Sequence, residues 1–147
     1  RYTPYVIEPA AGLTRSVLCY LCDAYREQKG VDAKGAEKTR VFLKLNPQFA
    51  PFKAAVLPLV KKDGQPEAAE KLAKMLKQKS IFVSTDLNQS IGKRYSRHDE
   101  IGTPFCIAVD NESVSDGTFT VRDRDTCEQE RISGDNMPEY LLEKLNR

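Results

Sequence analysis

Residues 54–60, Ala-Ala-Val-Leu-Pro-Leu-Val, constrain the fold of this chain more than any other segment. An extended run without a polar side cannot turn either face to water, so it predicts a strand that is covered on both faces. Pro58 has no backbone N–H to offer a neighbouring strand, which places the end of the strand near this residue. A sheet built around such a strand needs helices on both sides.

Helical and extended patterns alternate after this run. Residues 66–79 predict a helix, and its apolar stripe consists of Ala69, Leu72, Ala73 and Leu76. Further strands are predicted at residues 81–85, 104–109, 118–124 and 129–133, and a further helix is predicted after Ser90. The order predicts an α/β fold, a mixed sheet of about five strands flanked by helices.

The last helix is predicted to start with a capping box formed by Asn136 and Glu139. Its predicted buried face consists of Leu141, Leu142 and Leu145. Asp116 and Gly117 predict a turn before the strand at residues 118–124.

The first 39 residues have a different pattern. Residues 5–7 predict the end of a strand, and residues 13–28 predict an amphipathic helix. The predicted buried face of this helix consists of Val17, Leu18, Leu21, Cys22 and Tyr25. Residues 29–39 are polar and predict a surface loop or junction, and residues 40–45 predict a short extended segment. We therefore expect two units, residues 1–39 and residues 40–147.

Charge, hydrophobicity and cysteine content indicate where in the cell the protein is expected. The net charge is +2, and the excess of positive charge lies in residues 51–80, where seven lysines accompany three carboxylates. Lys71, Lys74 and Lys77 are expected to be exposed on the helix that carries them. No run of 18 apolar residues is present, so no membrane span is predicted. Four cysteines are few for a disulfide scaffold, which favours a reducing, cytoplasmic location.

Cys19 and Cys22 have the two-residue separation of metal ligands. No second pair follows at zinc-site spacing, so we expect core thiols, as for Cys106, and no metal site.

Four segments resemble glycyl-tRNA synthetases of the homodimeric, class II type. They are residues 6–15, 50–59, 90–105 and 120–126, the third reading Ser-Ile-Gly-Lys-Arg-Tyr-Ser-Arg-His-Asp-Glu-Ile-Gly-Thr-Pro-Phe. The resemblance implies that residues 1–39 are the end of a catalytic domain, with the strand and helix of its third motif. It implies that residues 40–147 have the fold of a class IIa anticodon-binding domain.

The same resemblance implies an activity for the longer enzyme. That enzyme is a homodimer that activates glycine with ATP and Mg²⁺ and transfers it to tRNA(Gly). The chain starts with Arg1 and lacks the first two class II motifs. It is therefore expected to be a part of the enzyme that is inactive by itself and binds no cofactor.

Three residues are implicated in the catalytic site by the resemblance. Arg15 would contact the triphosphate of ATP, and the other interpretation is a surface arginine at a helix start. Glu8 would line the aminoacyl pocket. Ala10 stands where the family has a serine that helps to bind glycine, a loss of about 1 kcal/mol of hydrogen bonding.

The resemblance also implies that the later domain reads two anticodon cytosines. Strand alternation puts Phe119 and Val121 on one face, and Arg122 and Arg124 on the other. If the first face is the core, the two arginines are candidates for base contacts; intramolecular ion pairs are the alternative. Asp123 is then expected to orient an arginine such as Arg94 or Arg97.

Lys93, Arg94 and Arg97 predict a positive patch on one helix, for tRNA phosphates or simply for solvent. His98 lies beside Asp99 and Glu100, an arrangement compatible with a general base. This domain performs no chemistry in the family, so no catalytic role is expected.

Two other functions remain open at this point. One is a non-catalytic synthetase paralogue that binds nucleic acid, like the accessory subunit of mitochondrial DNA polymerase. The other is a plain dimerisation domain.

Overall fold

The computed structural model describes residues 1–31 and 37–146. Its helices are α1 (Leu13–Ala24), α2 (Gln65–Gln78), α3 (Ile91–Glu100), α4 (Asn111–Asp116) and α5 (Met137–Leu145). Its strands are β1 (Tyr25–Val31), β2 (Glu37–Leu43), β3 (Ala54–Pro58), β4 (Val83–Thr85), β5 (Phe105–Val109), β6 (Thr118–Asp123) and β7 (Gln129–Ser133).

A five-stranded mixed sheet in the order β4-β3-β5-β6-β7 forms the body of the protein. β3 pairs in parallel with β4 and β5, while β6 and β7 continue the sheet antiparallel. Helices accompany the sheet, so the predicted α/β fold is confirmed. All five residues of β3 are buried and the strand ends at Pro58, as predicted.

The two faces of the sheet differ in their cover. On the first face, Val56, Ile107 and Val121 join the buried stripe of α2 and Leu141 of α5 in the main core. On the second face, a smaller cluster of Ala55, Leu57 and Cys106 packs under Ile91 and Tyr95 of α3. The predicted stripe Ala69, Leu72, Ala73 and Leu76 is buried in full, and Lys71, Lys74 and Lys77 are exposed. Buried Cys106 is likewise confirmed as a core thiol.

A β-hairpin replaces part of the predicted helix and loop near the start of the chain. α1 ends at Ala24, and β1 pairs antiparallel with β2, with Tyr25 opposite Leu43. The helix predicted for residues 13–28 is therefore too long, and the loop predicted for residues 29–39 is wrong where the structure describes it. Residues 32–36 of that loop lie outside the described part. The hairpin was not predicted because residues 26–30 show no alternation of apolar and polar side chains. Their extended conformation depends on pairing with β2.

The division at residue 39 falls inside β2, so the hairpin extends to both sides of it. The two-unit organisation stays a prediction.

The strand predicted at residues 5–7 is absent. Residues 1–12 form no regular element and are exposed. An extended segment needs a neighbouring strand for its backbone hydrogen bonds, and the described residues supply none here.

The predicted buried face of α1 is also wrong. Val17, Leu18 and Leu21 are between 42% and 60% exposed, and Tyr25 and both cysteines of this region are exposed as well. Helical periodicity defined the apolar stripe, but no element within the described ranges packs over it. Cys19 and Cys22 are therefore not core thiols in this structure.

The region around α4 and α5 contains two further differences. α4 was not predicted; Asp110 begins it by accepting a hydrogen bond from Ser113 N at 2.8 Å. Gly117 ends it at φ 71°, so a turn does lie where it was predicted. Asn136 is the N-cap of α5 but makes no capping hydrogen bond, so the predicted capping box is wrong.

Leu141 and Leu145 are buried, whereas Leu142 is 42% exposed. One residue turns a helix by about 100°, which carries Leu142 out of the core face.

Candidate nucleic-acid interface

Asp99, in the last turn of α3, is the centre of a buried ionic network. Its carboxylate accepts hydrogen bonds from Arg122 Nη1 and Nη2 at 3.0 and 3.3 Å and from Arg40 Nε at 2.9 Å. Asp99 and Arg122 are both buried. A buried carboxylate is costly without such partners, and here the two guanidinium groups come from β2 and β6. The network therefore ties the hairpin and the sheet to α3.

Arg122 lies on the face of β6 that alternation predicts. Phe119 and Val121 are in the core, and Thr120 and Arg122 are on the opposite side. Asp99 and the ring of Tyr95, 5.1 Å from the guanidinium carbon, cover Arg122 on this side. The ion pair that the sequence left open as an alternative is therefore formed, and the base contact of Arg122 stays a prediction. Burial opposes the charge of Arg122, but the hydrogen bonds to Asp99 and the attraction of nearby negative charge, chiefly that of Asp99, together outweigh burial and raise the pKa of Arg122.

Arg124 is 2% exposed. It donates to Gly102 O at 2.8 Å, to Leu45 O at 3.0 Å and to Asp125 Oδ1 at 2.8 Å. Intramolecular bonding, the alternative left open by the sequence, is thus what the structure shows for Arg124. It joins the end of β6 to the segment after β2.

Asp123 closes a turn rather than orienting an arginine. Its Oδ1 accepts from the backbone N–H groups of Asp125 at 2.7 Å and Thr126 at 3.1 Å. The predicted partnership with Arg94 or Arg97 is therefore wrong. The sequence did not identify Asp99 as the carboxylate that holds an arginine, because 23 residues separate it from Arg122.

The three residues of the predicted positive patch on α3 do not share one face of the helix. Lys93 is exposed, and Arg97 is partly exposed and paired with Asp86. Arg94 is buried, donating to Pro58 O at 2.6 Å and Asp86 O at 2.9 Å, and its burial lowers its pKa. Residues four apart share a helix face, so Lys93 and Arg97 point outward together while Arg94 points inward.

His98 follows Arg94 on the buried side of α3. Its Nδ1 lies 3.1 Å from Thr103 Oγ1, and burial lowers its pKa, which favours the neutral ring. This contact gives His98 a structural role at the end of the helix.

β6 and β7 carry a second group of polar side chains on the same sheet face. Arg131 donates from Nε to Thr118 Oγ1 at 2.7 Å and from Nη1 to Asp110 Oδ2 at 2.7 Å. The bond from Arg131 holds the pKa of the Asp110 carboxyl well below its usual range. The strand pairing of Thr120 with Arg131 creates this exposed polar surface, which the sequence did not reveal.

A cleft of about 390 Å³ lies between the hairpin and α3. Gln28, Thr39 and Arg40 line one side of it, and Gly92, Ser96 and Glu100 line the other. Asp99 and Arg122 also line it and are its buried members, so they form its floor. We call this space the hairpin cleft.

Comparison with known proteins identifies the family. Residues 53–144 match the family model described as "Anticodon binding domain". The chain belongs to the anticodon-binding domain family. The matched residues of the anticodon-binding domain run from just before β3 into α5, so they contain the five-stranded sheet, whereas the hairpin lies outside the match.

Similar proteins extend the comparison to nearly the whole chain. A glycine–tRNA ligase of Rhodopirellula baltica is 49% identical over 145 residues, which are 99% of this chain and 27% of that protein. A glycine–tRNA ligase of Cutibacterium acnes is 52% identical over 145 residues, 99% of this chain and 30% of that protein. One of Corynebacterium glutamicum is 50% identical over 145 residues, 99% of this chain and 31% of that protein.

These similarities confirm the predicted resemblance to glycyl-tRNA synthetases and do not support the accessory-subunit alternative. The chain spans less than a third of the length of these relatives.

The residues predicted for a catalytic site lie outside residues 53–144, which match the anticodon-binding domain. Glu8 and Ala10 are in the irregular first segment, and Arg15 is exposed on α1. Ala10 and Arg15 border one shallow depression. Their roles stay predictions.

Within residues 1–31 and 37–146, no group of three or more His, Cys, Asp or Glu side chains is arranged to hold a metal. The same part of the chain contains no helix with the length and apolar character needed to cross a bilayer.

Proposed function

We propose that this chain recognises the anticodon of tRNA(Gly) as part of a glycine–tRNA ligase. The observation that carries the proposal is the match of the five-stranded domain to anticodon-binding domains, together with about 50% identity to glycine–tRNA ligases along the chain.

The second sheet face suits single-stranded RNA. Unpaired loop bases are read through hydrogen bonds to their edges, and phosphates are held by cationic side chains. The surface around Thr118, Thr120 and Arg131 offers hydroxyl and guanidinium groups for such contacts. Lys93 and Arg97 lie outward on the adjoining helix, where we propose that they contact the RNA backbone.

The buried arginines take a different part in this proposal. Arg122 forms the floor of the hairpin cleft, held by Asp99, and so can meet RNA only there. Arg94, Asp123 and Arg124 bond within the chain, and we assign them the task of holding the recognition surface in shape.

The longer protein is proposed to activate glycine with ATP and Mg²⁺ and to act as a cytoplasmic homodimer. Arg15 fits a triphosphate contact, because its exposed guanidinium has no hydrogen-bond partner among the described residues. Such a group stabilises phosphate oxygens by charge and by paired N–H donors. Glu8 and Ala10 would belong to the glycine pocket of the same site.

Binding of a labelled tRNA(Gly) anticodon stem-loop to the chain tests the proposal. Each anticodon cytosine is replaced in turn, and affinity is measured by fluorescence anisotropy at several salt concentrations. We expect a loss of about fivefold or more for at least one replacement, the range of a single base-edge contact. Equal binding of all stem-loops at every salt concentration would refute anticodon recognition.

A further inference from the structure

The hairpin cleft combines residues from inside and outside the anticodon-binding domain. We propose that it holds one unstacked base of the bound RNA, a base whose Watson–Crick edge carries both an amino group and a carbonyl, as in cytosine. The β1–β2 hairpin supplies one wall, so the base site is incomplete within residues 53–144. The inference rests on the proposed function for its RNA ligand and adds where, and by which residues, one base is read.

The dimensions of the cleft suit a small flat ligand. Its volume of about 390 Å³ lies within the range of roughly 300–1,000 Å³ that small-ligand sites occupy. A Cβ atom at Gly92 would meet nothing within 4 Å, which shows open space at the α3 wall.

The floor of the cleft is already ordered. Asp99 accepts hydrogen bonds from both Arg40 and Arg122, and Arg40 Nη2 also donates to Arg124 O at 2.6 Å. A guanidinium group held in this way loses little conformational freedom when a ligand arrives. The network therefore keeps the two walls at a fixed separation before RNA binds.

Unused hydrogen-bonding groups define the base. The Glu100 carboxylate and the Thr39 hydroxyl have no partner within the described ranges, and the same holds for the Gln28 amide nitrogen. A carboxylate accepts from the exocyclic amino group of cytosine, and an amide N–H donates to a carbonyl oxygen. Uracil presents a carbonyl where cytosine has its amino group, so a carboxylate would reject it.

The charge of the cleft agrees with a nucleotide. Three cationic side chains, Lys29, Arg40 and Arg122, line it together with two carboxylates, Asp99 and Glu100. One excess positive charge favours an RNA residue that carries one phosphate charge.

Three variants of the chain test the site by stem-loop binding. Gln28→Ala changes the hairpin wall, Glu100→Gln removes the proposed acceptor, and Gly92→Leu fills the open space while favouring helix. Matched controls on α2, away from the cleft, are Gln78→Ala, Glu70→Gln and Lys71→Leu, all at exposed positions.

We expect each cleft variant to weaken binding of the native stem-loop about fivefold or more and the controls to leave it unchanged. Once the recognised cytosine is replaced by uracil, Glu100→Gln should bind at least as tightly as the unaltered chain, because a glutamine amide can donate to the uracil carbonyl that a carboxylate repels.

Two results would overturn the proposal: cleft variants that bind every stem-loop as the unaltered chain does, or variants that lose the same affinity for all loop sequences. The second result would indicate backbone contact only. Failure of the proposed function has a different signature, because the unaltered chain would then bind every loop alike or bind none.

Discussion

Replacing Asp99 with asparagine tests whether the ionic network holds the hairpin against the sheet. Asparagine keeps the shape of the side chain but removes its charge and one of its acceptor oxygens. The three hydrogen bonds to Asp99 then cannot all be retained, and Arg122 keeps its charge inside the protein.

The magnitude follows from burial. The side chains of Asp99 and Arg122 are 4% and 10% exposed, so their pairing is an interior one, while Arg40 at 20% is partly screened by water. Breaking a buried ion pair costs about 3–5 kcal/mol, and because an amide oxygen remains as an acceptor, the expected loss is about 3 kcal/mol. For a chain of this size that corresponds to a fall in Tm of roughly 6–12 °C.

Urea unfolding followed by circular dichroism measures the free energy of unfolding, and the slope with urea shows whether the transition remains two-state. Glu100→Gln is the control, because Glu100 is exposed and next to Asp99 in the chain; a change within about 0.5 kcal/mol is expected. Combining Asp99→Asn with Arg122→Met should cost less than the sum of the single changes, since the buried charge of Arg122 is removed together with its partner.

The reasoning fails if Asp99→Asn changes the free energy of unfolding by less than about 0.5 kcal/mol at constant slope. It also fails if the double variant costs the full sum of the two single changes.

Two further predictions concern α3 and its end. Burial lowers the pKa of His98, so the unfolded chain binds more protons, and this contribution to stability should decline as pH falls below about 6.5. His98→Gln should remove that part of the pH dependence in urea unfolding; an unchanged profile would contradict it. Gly102→Ala should cost about 1–3 kcal/mol, because φ is 78° and the new Cβ would lie 2.7 Å from Leu45 Cδ1 and 3.1 Å from Leu43 O. Gly117→Ala, at φ 71° with no atom within 4 Å, controls for backbone strain alone, and an equal cost at both sites would refute the contact.

Much of the five-stranded sheet could be read from local patterns. The buried run of β3, the stripe of α2 and the alternation of β6 each depend on residues within one element, and the structure confirms all three. The hairpin could not be read in this way, because β1 is polar and its extended form depends on pairing with β2.

The candidate site shows the same division more sharply. Alternation correctly put Arg122 on the sheet face opposite the core. Alternation does not predict which side chains cover that face. Asp99, which covers Arg122, belongs to α3, a different element. Similarly, the spacing of Lys93, Arg94 and Arg97 showed three cations on one helix, but the position of the sheet decided that Arg94 is inside.

The sequence by itself determined the elements of the sheet, the resemblance to a family and the identity of the charged residues, because periodicity and motifs are local properties of the chain. The tertiary structure alone decided which charges meet and which remain open to a ligand. Asp99 pairs with Arg40, 59 positions before it in the chain, and with Arg122, 23 positions after it. Only the folded arrangement of hairpin, helix and sheet brings these three side chains together. The hairpin cleft exists because this arrangement places the hairpin beside α3.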